Sequence, residues 1–248
     1  MRSLHPFVVA ATTLVALVAC RGSDAAIETT SDGETNRSAS TNAAATRGNA
    51  MVRVVHVADG VRLASIRLDG QTLFDSVRVE SVTDYREVPH TPRARFSVRL
   101  TGAVDTTPLA SIDPVLMDGT RYSMLLFSEN MSTRRLRLLK DEVIPDSGKA
   151  RLRVVHAAAG GPPIDVRPVG GVDDLFSGLA FDGDAGVADV APGTMTLEVR
   201  ATGKPAVLLR LPTMTLDRRS TTTVVLHGAA ALRAYVFVDA MMATVGAR

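Results

Sequence analysis

Arg95-Phe96-Ser97-Val98-Arg99-Leu100 carries an apolar side chain at every second position. Successive side chains of a strand point to opposite faces, so Phe96, Val98 and Leu100 share a buried face while Arg95, Ser97 and Arg99 meet water. The alternation returns in Met195, Leu197 and Val199 against Thr196, Glu198 and Arg200. It is present again in Leu136 and Leu138 against Arg135 and Arg137. Asp69-Gly70, Asp118-Gly119, Asp182-Gly183 and Pro192-Gly193 punctuate the runs as turns. No long segment has the helical period. The chain is therefore expected to be all-β.

Outward from these strands the sequence repeats. Arg53-Val54-Val55-His56 returns as Arg153-Val154-Val155-His156, an offset of 100 positions. Leu73-Phe74 answers to Leu175-Phe176, Val88-Pro89-His90-Thr91 to Ala191-Pro192-Gly193-Thr194, and Phe96–Arg99 to Leu197–Arg200. So long a period is a domain duplication, and the drift in offset marks short loop insertions. About six to eight short strands per copy predict two tandem antiparallel β-sandwich domains of immunoglobulin-like form, residues 51–146 and 149–248. With no Trp and only 3 Tyr, the cores must come from Val, Leu, Ile, Met and Ala.

The first 50 residues read differently. Arg2 precedes an apolar run of 13 residues, Phe7–Ala19. A membrane-spanning helix needs about 20, so residues 1–19 read as a secretory signal peptide. Leu17-Val18-Ala19-Cys20 resembles the bacterial lipobox, which makes Cys20 the lipidated first residue of the mature chain. Cys20 is the only cysteine, so neither an internal disulfide nor a cysteine cluster can form. Arg21 stands where enteric lipoproteins that stay at the inner membrane carry Asp, which points to the outer membrane where the cell has one. Residues 20–50, rich in Ser, Thr, Ala and Asn, are too polar to build a core and read as a disordered tether.

Charge excludes a nucleic-acid surface. The 28 Lys and Arg nearly balance 26 Asp and Glu, and residues 51–150 and 151–248 are each one charge from neutral. The apolar stretch 221–245 is interrupted by His227, Arg233 and Asp239, and Gly228 marks a hairpin turn rather than a membrane span.

The motifs Arg153–Ala157, Ile164-Asp165-Val166, Leu175-Phe176-Ser177-Gly178 and Pro192-Gly193-Thr194 resemble the bacterial extracytoplasmic family known as domain of unknown function 4397. The likeness spans about 195 residues in two tandem copies. It implies a fold and an extracytoplasmic address, and no established activity. The copies diverge at Ser65 against Asp165 and at Tyr85 against Ala188, which argues against two identical ligand sites.

No pattern of residues signals catalysis. The chain lacks Gly-x-Ser-x-Gly, His-Glu-x-x-His and a phosphate-binding glycine loop. Parity places His56 and His156 on the apolar face of their strands, where a core histidine holds a loop backbone. His90 and His227 have no histidine counterpart. Phe181–Gly186 departs from a calcium loop at its fifth position, and Asp173-Asp174 sit in a loop. We therefore expect no enzyme, no catalytic, cofactor-binding or metal residues and no cofactor; the one assigned site is lipidation at Cys20. The expected protein is an exported lipoprotein, held to the membrane by the lipid on Cys20. It would serve as a non-catalytic binding or adhesion module for an unknown envelope protein or polymer, not nucleic acid. A self-associating structural envelope component is the alternative, and an envelope hydrolase with a site between the domains is the remote one.

Overall fold

Val52 and Val54 are buried on one face of a strand and Val55 on the other, with Val57 buried just past its end. Such a strand must be covered on both sides. In the computed structural model, which describes residues 49–89, 93–103, 107–141 and 148–240, that requirement sets the architecture. Cys20, the signal peptide, the tether, His90 and residues 145–147 lie outside the described residues.

The first half contains β1 (Ala50–His56), β2 (Leu63–Leu68), β3 (Gln71–Arg78), β4 (Ser81–Val82), β5 (Arg86–Val88), β6 (Phe96–Leu100), β7 (Ala110–Ile112), β8 (Arg121–Ser128) and β9 (Arg134–Lys140). The second contains β10 (Ala150–Ala157), β11 (Ile164–Pro168), β12 (Phe176–Leu179), β13 (Gly186–Val190), β14 (Gly193–Met195), β15 (Leu197–Ala201), β16 (Val207–Arg210), β17 (Met214–Leu216), β18 (Ser220–His227) and β19 (Arg233–Ala240). No helix occurs among the described residues, and none is long and apolar enough to cross a membrane. The fold class is all-β, as the alternation requires.

Each half is a sandwich. In the first, β4-β1-β8-β9 faces β3-β2-β6-β7, with β5 also paired to β1. In the second, β13-β10-β18-β19 faces β12-β11-β15-β16, beside the short pair β14-β17. The parallel ladders correct the purely antiparallel expectation: β1 pairs parallel with β8 (Met51 opposite Arg121), and β10 parallel with β18 (Arg151 opposite Thr221). Parallel neighbours need a long crossover. In both halves the opposing sheet supplies it, since the chain leaves the opening strand, builds that sheet and returns in the same direction.

Three apolar clusters hold this arrangement. Val52, Val54, Ile66, Phe96 and Leu126 are among those filling the first sandwich, and Leu152, Val154, Ile164, Val199 and Leu226 the second. The third joins the halves: Val55, Val57, Leu125 and Phe127 meet Val155, Ala157, Val225 and Phe237. Each such large side chain removed from water contributes on the order of 1.5–3 kcal/mol before entropy costs. The strand faces that carry Arg53 and Arg153 are thus buried against the other half.

Candidate functional site

Arg53 and Arg153, the first residues of the repeated motif, are 4% and 6% exposed. A buried guanidinium needs a carboxylate, and each finds one across the junction. Arg53 makes a bidentate pair with Asp239, with Nη2 2.6 Å from Oδ2. Arg153 Nη1 lies 2.8 Å from Asp141 Oδ1. The two aspartates are equivalent, since Asp239 stands opposite Thr221 and the Asp141 amide donates to the Arg121 carbonyl at 2.9 Å. The hydroxyls match too: Arg53 Nε donates to Ser123 at 2.8 Å and Arg153 Nε to Thr223 at 3.2 Å. Asp141 also accepts from Ser123 at 2.8 Å and from the Tyr85 hydroxyl at 2.7 Å. Burial works against the Arg53 charge, but the Asp239 hydrogen bond and the fields of Asp141 and Asp239 outweigh it and raise its pKa. Burial pushes the Tyr85 hydroxyl up as well, with the Asp141 charge acting in the same direction.

At the other end of the same strands the pairing recurs. Arg135 lies 2.8 Å from Asp182, and its counterpart Arg233 lies 3.3 Å from Glu80. The Asp182 amide donates to the His156 carbonyl and that of Glu80 to the His56 carbonyl, so those two acids are equivalent. The halves are therefore related by an approximate two-fold axis along the strands. Asp59, just past β1, accepts from the Ala229 amide, just past β18, at 2.8 Å. The loop after β1 of the first half and the loop after β18 of the second thus meet at the end away from Asn49.

The histidines sit on the core side, as parity placed them. His56 is 0% and His156 3% exposed. Each Nδ1 accepts from the amide two residues on, Ala58 at 3.2 Å and Ala158 at 3.3 Å. His156 Nε2 then carries the proton and donates to the Pro162 carbonyl at 3.2 Å. His56 Nε2 lacks a well-formed hydrogen bond, although the Val61 backbone is near enough to favour its proton. His227 is 1% exposed and neither ring nitrogen makes a well-formed hydrogen bond, although the Val57 backbone is near; its Nε2 is 3.7 Å from Glu80 across the junction, and Phe127 holds its place in the first half. Among the described residues no group of His, Cys, Asp and Glu gathers as metal ligands. Asp182, in the Phe181–Gly186 turn, serves Arg135 and Arg137, and Asp174 pairs with Arg167 at 2.7 Å.

The Ser65/Asp165 divergence has a structural reason. β3 bulges at Asp75-Ser76 and β12 at Ser177-Gly178, where the register shifts. In the second half Asp165 accepts from the Gly178 amide at 2.8 Å and the Thr202 hydroxyl at 2.9 Å. In the first half the roles exchange: Ser65 donates to Asp75 and lies 3.1 Å from Thr101. Both halves keep the node, but only in the first does its carboxylate stand exposed, with the Ser65 hydroxyl holding Asp75 below the usual range. Strand pairing also corrects the Tyr85/Ala188 comparison. Val52 faces Arg86 and Leu152 faces Ala188, so Arg86 is the counterpart and Tyr85 belongs to an extra residue in the first half.

Asp75 lines the candidate site, an open groove of about 470 Å³ on the flank of the first sandwich. One wall is the edge strand β3 from Phe74 to Arg78, the other the β4–β5 edge from Ser81 to Arg86. The Arg86 guanidinium lies 5.1 Å over the Phe74 ring and donates to the Leu73 carbonyl. Ser76 holds φ 54°, whereas its counterpart is Gly178 at φ 66°. A side chain in this region costs about 1–2 kcal/mol, partly offset by the lower chain entropy lost on folding than for glycine. Ser76→Gly should therefore leave stability unchanged or raise it by up to about 1 kcal/mol in urea unfolding; a clear loss would show that the hydroxyl holds the bulge. Sequence reading missed Arg53, Arg153 and this groove. The available signal for the arginines was a charge repeated between valines on a strand apolar on both faces.

Residues 50–167 match the model of the family described as Domain of unknown function (DUF4397), which supports the family over that stretch. The match takes in all of the first half and ends within β11. Among solved structures, the chain is similar to CBMbc (family CBM26) from Eubacterium rectale Amy13K, crystallised in complex with maltoheptaose. The identity is 11%, the TM-score 0.24, and the likeness covers 79% of this chain and 98% of that one. Comparison with curated proteins finds no match.

Proposed function

We propose that the chain is an exported lipoprotein whose first half is a non-catalytic binding module and whose second half, a further copy of the same family, braces it. One observation carries the division of labour. The groove positions Asp75, Ser76, Thr83 and Arg86 correspond to Ser177, Gly178, Gly186 and Ala188. Of these four the second half keeps only a hydroxyl, at Ser177, and has no carboxylate or guanidinium there; Gly186 packs so close to Phe176 that an added Cβ would stand 2.6 Å from the ring. The lipid on Cys20 would hold the protein at the membrane, the outer one where present, with residues 20–50 as tether. Several acyl chains anchor firmly where one does not. At the end away from Asn49, Asp59 is engaged by the Ala229 amide and by Arg233, which favours the flank over those loops.

The test joins anchor and site. Wild type should incorporate radioactive palmitate and Cys20→Ala should not; equal labelling would remove the anchor. The detergent-purified chain should be retained on an envelope polymer without releasing product, and Arg86→Ala should weaken retention. Turnover of an ester, peptide or glycoside would overturn the non-catalytic reading, and a stable oligomer without ligand would favour a structural component.

A further inference from the structure

We infer that the flank groove takes a neutral, polyhydroxylated chain such as an uncharged glycan, an inference that rests on the binding reading above. Two edge strands form the walls, yet neither offers the continuous backbone ladder that an added peptide strand would need. β3 is interrupted by its bulge at Asp75-Ser76, and the other wall breaks between Val82 and Arg86. Bulged edges resist strand addition. Recognition therefore falls to side chains.

Those side chains are polar and balanced. Asp75 and Asp84 offset Arg78 and Arg86, so the lining selects for neither an anionic nor a cationic polymer. Arg78 and Asp84 make no side-chain hydrogen bond or ion pair among the described residues, which leaves a fork of donors and a pair of acceptors available. Guanidinium and carboxylate groups each hold two neighbouring hydroxyls with charge-assisted hydrogen bonds. The Arg86 guanidinium, fixed between the Phe74 ring and the Leu73 carbonyl, adds a flat polar platform. Ser76 keeps a hydroxyl in the lining at a position where the second half relaxes to Gly178. A volume of about 470 Å³ is in the range of ligand sites. A groove open to solvent would suit a passing chain better than a capped small molecule.

The experiment titrates the detergent-purified full chain, in an uncharged non-glycoside detergent, with dextran, laminarin and galactomannan, and with dextran sulfate as the charged control. At least one neutral glycan should bind saturably. Its Kd should change less than about twofold between about 50 and about 500 mM salt, because no net charge is screened. Asp84→Ala and Arg78→Ala should each weaken binding about tenfold, the loss expected for one hydrogen-bonding charged group. Failure of every neutral glycan, or a Kd that rises steeply with salt, would overturn the ligand class. Should dextran sulfate alone bind, and bind more weakly in Arg78→Ala, the groove would stand as a binding site and only the neutral class would fall. Binding of a neutral glycan that both groove variants leave unchanged would place the ligand elsewhere and overturn the groove as its site.

Discussion

Asp141→Ala is expected to lower the stability of the chain by about 3–5 kcal/mol, read as a shift in the urea midpoint. Its carboxylate is the partner of Arg153 and receives the Ser123 and Tyr85 hydroxyls, with Arg53 Nε 3.8 Å away. Side-chain exposure there is 10% for Asp141 and 8% for Arg153, so water cannot replace the lost acceptor. Removing one member of a buried pair strands the other, and that stranding dominates the loss. Replacing Asp141 by Leu and Arg153 by Met together should recover most of it, since an apolar pair leaves no unpaired charge. A single-variant loss below about 1 kcal/mol would show that the junction tolerates an open charge and that the pair is not sealed from water.

The second large effect is acid lability. Burial pushes the His56 imidazole down from 6.5 to about 4, with the Val61 backbone opposing. Burial lowers His156 against the Pro162 carbonyl, and lowers His227 with help from Arg233 against Glu80, Asp59 and the Val57 backbone. Between pH 6.5 and the folded values, the unfolded chain binds protons that the folded chain refuses. Stability is therefore complete above about pH 6.5 and falls as acid is added. His56 alone removes about 3 kcal/mol by pH 4, and the other two act in the same direction. His227→Phe, which installs the residue the first half carries at Phe127, should flatten the profile. A urea midpoint equal at about pH 7.5 and about pH 4.5 would contradict buried, neutral imidazoles.

Local pattern made the strands legible. Phe96, Val98 and Leu100 and their counterparts announced the sheets, and parity put His56 and His156 on the core side. Pairing partners are non-local, so the parallel ladders β1–β8 and β10–β18 left no trace in local sequence. Arg53 and Arg153 were hidden for a related reason. Period two assigns a face, and only tertiary packing decides whether that face meets water or the other half. Ser65 and Asp165 looked like a divergent ligand site because the carboxylate of the node sits on Asp75 across the β3 bulge in the first half and on Asp165 itself in the second, an exchange between strands that local sequence does not show. The groove lies within one stretch of chain, residues 74–86, but local pattern does not say that β3 joins one sheet through β2 while β4 and β5 join the other through β1, which is what parts its walls.

The most direct measurement of binding by the first half is a backbone amide NMR map of isotopically labelled chain during titration with the neutral glycan that binds most tightly. A flank-groove site predicts shift changes concentrated at residues 74–86, with their counterparts at 176–188 and the loops beyond β1 and β18 unmoved. Changes centred on those loops, or of equal size in the two halves, would contradict it.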